Sequence, residues 1–188
     1  MFNDKYGLTQ AVLEGCKTQT RRLASSMFKQ WEVSEAVGDF LGTRPMSFEE
    51  YAKRNSPYKV GEEVAIAQSY RTIIQESIDR HQEYKGSCSM FTSKGLNNKM
   101  FVKANLMPHR IKITNIRAEY LQDISYEDCL KEGIKLKKGR FLVENYKGVE
   151  FYTDSPRLAF AYLINKICGK ETWDFNPYVL VYDFELIK

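Results

Sequence analysis

The sequence predicts an α+β fold in which a small mixed β-barrel is flanked by short helices. Strand-like segments, whose apolar residues alternate with polar ones, are interleaved with short segments that begin on helix-capping residues. The clearest strand is the last, over residues 178–186, and the clearest helix begins at Ser155-Pro156. The sequence contains no repeat that would indicate a solenoid. We therefore predict a single domain over residues 1–188, with an insertion around residues 69–100.

The first quarter of the chain contains two predicted helices. Apolar residues at helical spacing over residues 8–12 predict a short helix that Gly15 ends, and an extended segment follows. The sequence Ser-Phe-Glu-Glu at residues 47–50 is a capping box and predicts a helix to about Arg54. Between them, residues 23–45 have no clear periodicity.

The middle of the chain is more polar. A turn at residues 60–62 predicts a strand over residues 64–68. Isoleucines over residues 73–78 indicate a helix within the insertion, and the rest of the insertion is predicted to be a long loop. Apolar and polar residues alternate over residues 110–114, which predicts a half-buried strand.

The second half begins with a short helix and ends with a long one before the last strand. Ser125 is a suitable N-cap for the short helix, which Gly133 ends. Residues 141–152 predict a hairpin. In the long helix, Ser155 is the predicted N-cap, Pro156 fits the first helical position, and Gly169 ends the helix after an apolar stripe.

Composition argues against several classes of protein. The net charge is only +4, so charge alone does not predict nucleic-acid binding. The four cysteines form no C-x-x-C pair and the two histidines are far apart, so neither a zinc site nor a Ser-His-Asp triad is expected. We see no segment long enough to span a membrane and no secretory leader, and we predict a cytoplasmic protein with reduced thiols and no cofactor.

The residues that could carry chemistry are concentrated near the start of the chain. Lys17, Arg21 and Arg22 place three cations, with two threonine hydroxyls between them, directly after the first predicted helix. At the other end, a polar aromatic turn leads into the last strand. If the first and last strands are neighbours in one sheet, this cationic segment lies in a concave basic site.

Four segments, in order along the chain, resemble the ASCH domain of the PUA-like superfamily, in the form common in phage and prophage genomes. They are Gly15-Cys16-Lys17-Thr18-Gln19-Thr20-Arg21-Arg22; Tyr58-Lys59-Val60-Gly61-Glu62; Ile116 to Ile124 with Glu132-Gly133-Ile134; and Gly169-Lys170 through Trp173 and Asn176-Pro177 to the last strand. Each segment is weak evidence alone, but the ordered set is fairly specific. Together the segments bracket nearly the whole chain.

The resemblance implies a five- or six-stranded barrel with outer helices and a cleft on one side. Members of the family are mostly thought to bind RNA or nucleosides. One branch hydrolyses the acyl group of N4-acetylcytidine with a lysine, a threonine and a glutamate, which correspond by motif position to Lys17, Thr20 and Glu132. This chain departs from the family at residues 65–68, where Ala-Ile-Ala-Gln replaces the usual Trp-Val-Arg-Glu.

Each candidate catalytic residue also has a simpler interpretation. In a closed cleft beside other cations, Lys17 would have a lowered pKa and could act as a base, whereas a solvated Lys17 would only attract phosphate. Thr20 could be a nucleophile or a residue that favours a strand. Residues three apart in a regular strand face opposite sides, so Lys17 and Thr20 converge only if the chain bends between them. Glu132 could orient a water or remain a surface residue.

Four further features are candidates for binding. Arg21 and Arg22 could bind phosphate or stack on a base, or could form ion pairs with acidic neighbours. Trp173 could stack on a base, but a single Trp before a strand more often closes the end of a barrel. Residues 135–140 predict a mobile basic loop.

We therefore predict an ASCH-type protein that binds RNA or a modified nucleoside in a basic cleft. Lys17, Thr20, Arg21 and Arg22 would line the cleft, with Glu132 opposite. One alternative is a metal-free amidohydrolase that acts on N4-acetylcytidine or a related nucleoside. Another is a phage interaction protein in which the cleft is vestigial and the insertion contacts a partner. The sequence leaves the choice between monomer and dimer open.

Overall fold

A four-stranded and a three-stranded antiparallel sheet, with helices packed against both, form the framework of the protein. The computed structural model describes residues 2, 4–43, 46–81, 94–99, 102–144, 148 and 150–187. The strands are β1 Gln19–Leu23, β2 Glu63–Ala65, β3 Arg110–Tyr120, β4 Lys135–Lys137, β5 Arg140–Glu144, β6 Glu150–Thr153 and β7 Tyr178–Ile187. The helices are α1 Leu8–Leu13, α2 Ser25–Phe40, α3 Phe48–Asn55, α4 Tyr70–His81, α5 Tyr126–Lys131, α6 Pro156–Cys168 and α7 Thr172–Phe175.

The larger sheet has the strand order β1-β7-β3-β2, and the smaller one has the order β4-β5-β6. The first and last strands are therefore direct neighbours, with Gln19 opposite Asp183 and Thr20 opposite Tyr182. This pairing confirms the condition on which the predicted site depended. The larger sheet is curled. The predicted α+β class and a barrel-like shape are therefore confirmed.

Strand β7 lies between two hydrophobic cores. Val179 and Val181 belong to the core that contains α5, α6 and the smaller sheet. Leu180, Tyr182 and Phe184 belong to the core inside the curled sheet. Because successive side chains of a strand face opposite sides, one strand joins both cores, as expected for a strand that is buried on both faces.

A β-bulge in β3 determines which of its side chains lie on each face of the larger sheet. The register between β3 and β7 shifts between Ile113 and Asn115. The extra residue shifts the alternation of side chains between the two faces of the sheet. Ile116 therefore lies on the same apolar face as Ile113, although the two are three residues apart. Arg117 and Glu119 therefore lie on the opposite face of the sheet, where they contact Arg21 or its carboxylate partners.

Most predicted capping positions are confirmed. Ser47 caps α3 in a capping box, and Ser125 and Ser155 cap α5 and α6. Gly15, at φ +74°, follows the end of α1, as predicted. The predicted strand near residue 64 is only three residues long. The hairpin of β5 and β6 is also confirmed, although residues 145–147 of its turn lie outside the described part of the chain.

Of three further predictions of local structure, one was wrong, one was incomplete and one is confirmed. Residues 135–140 are not a mobile loop, because β4 and β5 pair there across a tight turn in which Lys138 and Gly139 both have positive φ. The turn before β7 contains the short helix α7. The predicted helix in the insertion is α4, and residues 82–93 of the insertion lie outside the described residues.

Helix α2 was not predicted, because its apolar residues lie on two faces. Phe28 and Trp31 pack against the core inside the curled sheet. Val33, Val37 and Phe40 are exposed on another face. No large apolar side chain in the described part of the insertion is similarly exposed, which weakens the hypothesis of a partner-binding insertion.

Two findings bear on the predicted class of protein. Within the described residues, none of the helices is both long and apolar enough to cross a membrane. Cys16, Cys129 and Cys168 are free thiols, and Cys88 lies outside the described residues.

Candidate functional site

A cavity of about 510 Å³ lies between β1 and the apolar face of α6. This volume falls within the range of small-molecule sites, roughly 300–1,000 Å³. One wall is polar and includes Lys17, Thr20 and Glu132. The other wall is largely apolar and comes from α6. The lining residues are Phe2, Asp4, Leu8, Lys17, Thr20, Arg21, Arg22, Leu23, Lys99, Glu132, Phe160, Leu163, Ile164, Ile167 and Cys168.

Lys17 is almost fully buried at the base of the polar wall, with 2% of its surface exposed. Its ammonium group donates to the Glu132 carboxylate at 2.5 Å, to the Glu132 carbonyl at 2.8 Å and to the Gln19 carbonyl at 2.7 Å. An ammonium group has three N–H donors, so every donor has a partner. The interpretation of Lys17 as a solvated surface lysine is therefore wrong.

Glu132 is also buried, although it was considered a possible surface residue. It is the C-cap of α5, and Gly133 follows it at φ +97°. The carbonyls at the end of a helix lack helical partners. Lys17 donates to the Glu132 carbonyl, and the Thr18 N–H donates to the Lys131 carbonyl at 3.0 Å. A cation is favourable at a helix C-terminus, so Lys17 stabilises both the carboxylate and the end of α5.

Burial lowers the pKa of Lys17 from its ordinary value of 10.5. Glu132 acts in the opposite direction, while the charges of Arg22 and Arg21 lower the pKa further. The prediction of a lowered lysine pKa in this segment therefore has a structural cause. Such a lysine is easier to deprotonate than one in water.

Thr20 lies on the same cavity as Lys17 and Glu132. The expected geometric conflict does not arise, because β1 begins only at Gln19 and Lys17 precedes the regular strand. Among the described residues, the Thr20 hydroxyl makes no hydrogen bond, whereas the Lys17 ammonium is fully engaged. The three predicted catalytic residues are thus brought together around one cavity.

Arg21 also lines the cavity, but its guanidinium lies in an acidic cluster. Its guanidinium contacts Glu119 at 2.6 Å, Asp128 at 3.1 Å and Glu132 at 3.2 Å. Burial disfavours its charge, but the carboxylates of Glu132 and Glu119 outweigh burial and raise the pKa of Arg21. The alternative that Arg21 forms ion pairs with acidic neighbours is confirmed.

Several residues of this cluster were not among the predicted site residues. Arg117 contacts Glu119 at 3.0 Å, Asp128 at 2.5 Å and Asp183 at 2.9 Å. Gln19 donates to Asp128 and to Asp183. Two signals in the sequence could have indicated some of them. Arg117 and Glu119 belong to one of the four segments on which the predicted family resemblance depends, and Asp183 is a charged residue within an apolar strand.

Asp128 should make the fold sensitive to acid. Burial alone would raise its pKa, but the hydrogen bond from Arg21 and the charge of Arg117 hold it below its ordinary value of 3.8. A carboxyl group with a lowered pKa stabilises the fold above its unfolded pKa, and this contribution is lost as the pH falls through the folded value. Urea denaturation between about pH 2 and pH 6 should show a steeper decline in unfolding free energy for the wild type than for Asp128→Asn, mainly below about pH 4. An equal decline of unfolding free energy with falling pH in the two proteins would contradict the lowered pKa of Asp128.

The other predicted binding residues are separated from one another. Arg22 is exposed and lines the cavity. Trp173 is not among the lining residues. Its ring packs edge-on against Phe160 with centroids 6.2 Å apart, and the Arg157 guanidinium lies 5.7 Å from its centroid, which indicates a structural role.

Three searches compared the chain with protein-family models, curated proteins and solved structures, and none of them found a match. Within the described part of the chain, no cluster of His, Cys, Asp or Glu side chains is arranged to hold a metal ion.

Proposed function

We propose that this chain is an ASCH-type, PUA-like protein that binds a modified nucleoside in the cavity between β1 and α6. The observation that carries the proposal is that Lys17, Thr20 and Glu132 line this one cavity. Lys17 and Glu132 are 115 positions apart in the sequence, yet their charged groups are 2.5 Å apart. These are the three positions that the resemblance associates with acylated cytidine.

The two walls of the cavity suit a nucleoside. A base has flat apolar faces and a polar edge, and it is bound best between an apolar surface and a few directed polar groups. Phe160, Ile164 and Ile167 supply the apolar surface, and Thr20 with its neighbours supplies the polar groups.

The charge distribution favours a small ligand over a long RNA. Binding to a polynucleotide backbone requires cations that neutralise many phosphates. Arg21 and Arg117 instead contact carboxylates inside the protein. The binding hypothesis is therefore narrowed to a ligand that fits within the cavity.

Calorimetric titration with cytidine, the nucleoside common to N4-acylated cytidines, tests the binding site. Ile167→Trp should fill the apolar side of the cavity and weaken cytidine binding by at least about tenfold. The matched control is Leu158→Trp, because Leu158 is 59% exposed on the same helix and does not line the cavity. Equal effects of the two substitutions, or no binding to the wild type, would contradict the proposed site.

A second candidate function is hydrolysis of the acyl group from N4-acylated cytidine. The observation that favours it is the Thr20 hydroxyl, which lines the cavity without a hydrogen-bond partner among the described residues. Lys17, with its lowered pKa, lines the same cavity. A hydroxyl group and a lysine that loses its proton readily are the two groups that such nucleophilic catalysis uses.

In the proposed reaction, the Thr20 oxygen forms a bond to the acyl carbon while neutral Lys17 accepts the hydroxyl proton. The tetrahedral intermediate breaks its C–N4 bond, and Lys17 gives that proton to the departing amine, which leaves as cytidine. Water then attacks the acyl-threonine ester, Lys17 accepts a proton from the water, and the proton returns to the threonine oxygen as the acid is released. Glu132 holds the lysine in place and stabilises its charged form.

Incubation of the wild-type protein with N4-acetylcytidine tests this reaction. We expect acetate and cytidine to appear in equal amounts, measured by chromatography. Cytidine binding without any release of acetate would contradict hydrolysis and leave the binding proposal in place.

A further inference from the structure

We infer that a small pocket beside Thr20 holds the acyl chain of the proposed nucleoside ligand and limits that chain to about four carbons. The inference rests on the proposed function, because it concerns the same nucleoside and the same threonine. It extends that function by naming the class of acyl group, which is short and aliphatic. It is carried by the position of the pocket, by its lining and by its volume.

The pocket lies inside the curled sheet, next to the cavity between β1 and α6. Thr20 lies directly opposite Tyr182 on β7, and residues opposite each other on neighbouring strands share a face of the sheet. Because Tyr182 belongs to the core inside the curled sheet, Thr20 faces that interior as well. Thr20, Phe2 and Arg22 line both the pocket and the larger cavity, so the two spaces meet at these residues.

The lining of the pocket is mostly apolar. Strand β2, the two residues that follow it and strand β3 supply Val64, Ala65, Ile66, Ala67, Ile111 and Ile113. Tyr182 also lines the pocket, and its hydroxyl already has a partner in Ser56, with the two oxygens 2.9 Å apart. An alkyl chain is therefore favoured here over a charged or strongly hydrated group.

The volume of the pocket determines the length of chain that it can hold. This volume is about 40 Å³. One water molecule needs roughly 10–15 Å³ of such space, so the pocket has room for about three or four atoms of similar size. The methyl carbon of an acetyl group fits this space, and so do the three carbons beyond the carbonyl of a butanoyl group. The five carbons beyond the carbonyl of a hexanoyl group do not.

The chemistry of an acylated cytidine matches this arrangement. Its acyl carbon is joined to the amine nitrogen of the base on one side and to the alkyl chain on the other. When that carbon lies at Thr20, where the two spaces meet, the base extends into the larger cavity and the chain extends into the pocket. One ligand then occupies both spaces, with its reactive carbon at the proposed nucleophile.

The test is calorimetric titration of Thr20→Val with cytidine and with its N4-acetyl, N4-butanoyl and N4-hexanoyl derivatives. This variant keeps nearly the shape of threonine but lacks the proposed nucleophile, so the ligands are not consumed. We expect the affinity to rise about threefold to fourfold for each carbon added from acetyl to butanoyl, because each added carbon is buried. From butanoyl to hexanoyl, the affinity should fall by at least about tenfold, because the longer chain no longer fits.

Two further substitutions, made in the same variant, change the pocket in opposite directions. Ala67→Leu adds three carbons that fill the pocket, and it should weaken binding of the butanoyl derivative by about tenfold or more while cytidine still binds. Val64→Ala removes two carbons and should bring the hexanoyl derivative to within about threefold of the butanoyl one. The enlarged pocket therefore tests the inference even if Ala67→Leu does not fold.

The matched control is Ala36→Leu, because it adds the same three carbons at an exposed position of α2 that is not among the described lining residues of either cavity. It should leave the dependence of affinity on chain length unchanged. A loss of butanoyl binding as large as that in Ala67→Leu would overturn the assignment of the acyl chain to this pocket.

The remaining outcomes separate this inference from the proposed function. If cytidine binds but the affinity does not depend on chain length, or still rises from butanoyl to hexanoyl, the pocket inference is overturned and the nucleoside site is left intact. If Ala67→Leu weakens cytidine as much as the butanoyl derivative, the inference is overturned as well. If neither cytidine nor its derivatives bind, both the inference and the proposed function fail.

Discussion

Replacing Lys17 with methionine is expected to lower the free energy of unfolding by about 3–5 kcal/mol. The substitution removes the three hydrogen bonds of the ammonium group and leaves the Glu132 carboxylate buried without its nearest cation. Among the described residues, Arg21 would remain as the cation in contact with that carboxylate, at 3.2 Å. For a chain of this length, each kcal/mol lowers the melting temperature by roughly 2–4 °C, so a loss of about 10 °C is expected in thermal denaturation.

Two controls distinguish the stability lost with the buried Lys17–Glu132 pair from the effect of removing any lysine. Lys53→Met removes the same group from an exposed ion pair with Glu49 and should change stability by less than about 0.5 kcal/mol. The double variant Lys17→Met with Glu132→Gln should lose less stability than the sum of the two single variants, because the uncompensated charge is then absent. A cost for Lys17→Met no larger than that for Lys53→Met would contradict the structural role of the pair.

Thr20→Val is expected to reduce the proposed release of acetate from N4-acetylcytidine by about 10³-fold or more. Valine has nearly the shape of threonine but lacks the hydroxyl, and this hydroxyl has no hydrogen-bond partner among the described residues that the fold would lose. The melting temperature should therefore stay close to that of the wild type. Thr20 is a sharper test of the chemistry than Lys17, because a Lys17 variant would also weaken the fold.

Thr20→Ser provides the matching control for the nucleophile. Serine keeps a hydroxyl at the same position, so the variant should retain measurable turnover while Thr20→Val does not. Both variants should still bind cytidine in calorimetry, because the apolar wall of α6 is untouched, and Thr20→Val should lose only the contribution of one hydroxyl group. Turnover in Thr20→Val comparable to that of the wild type would remove Thr20 from the reaction.

Local structure was predictable where short-range chemistry determines it. The cap of α3 depends on Ser47 and Glu50, which are three residues apart and bond to each other's backbone. The start of α6 depends on Ser155 and on the fixed φ of Pro156. Such patterns involve neighbouring residues, so the sequence contains most of the information needed to recognise them.

Helix α2 and the bulge in β3 could not be predicted in the same way. The apolar residues of α2 surround most of the helix, because some face the core and others face solvent, and the periodicity is lost. The bulge changes which face of the sheet the side chains of β3 occupy after Ile113. It can be recognised only from the pairing of β3 with β7. Both features depend on tertiary contacts.

The candidate site was predictable only in its residue types. The motif resemblance selected Lys17, Thr20 and Glu132, but sequence spacing left open whether they converge. Their convergence depends on the bend between α1 and β1 and on the end of α5, which lies over a hundred residues away. The same long-range contacts explain why Arg21, expected to line a basic cleft, is neutralised by Glu119 and Asp128.

The most direct test of the central claim is a crystal structure of the Thr20→Val variant with N4-acetylcytidine. We expect the nucleoside to lie between β1 and α6, with its base against Ile164 and its acyl carbon in van der Waals contact with the side chain at position 20. Density for the nucleoside at another surface, or an acyl group directed away from position 20 and Lys17, would contradict the account.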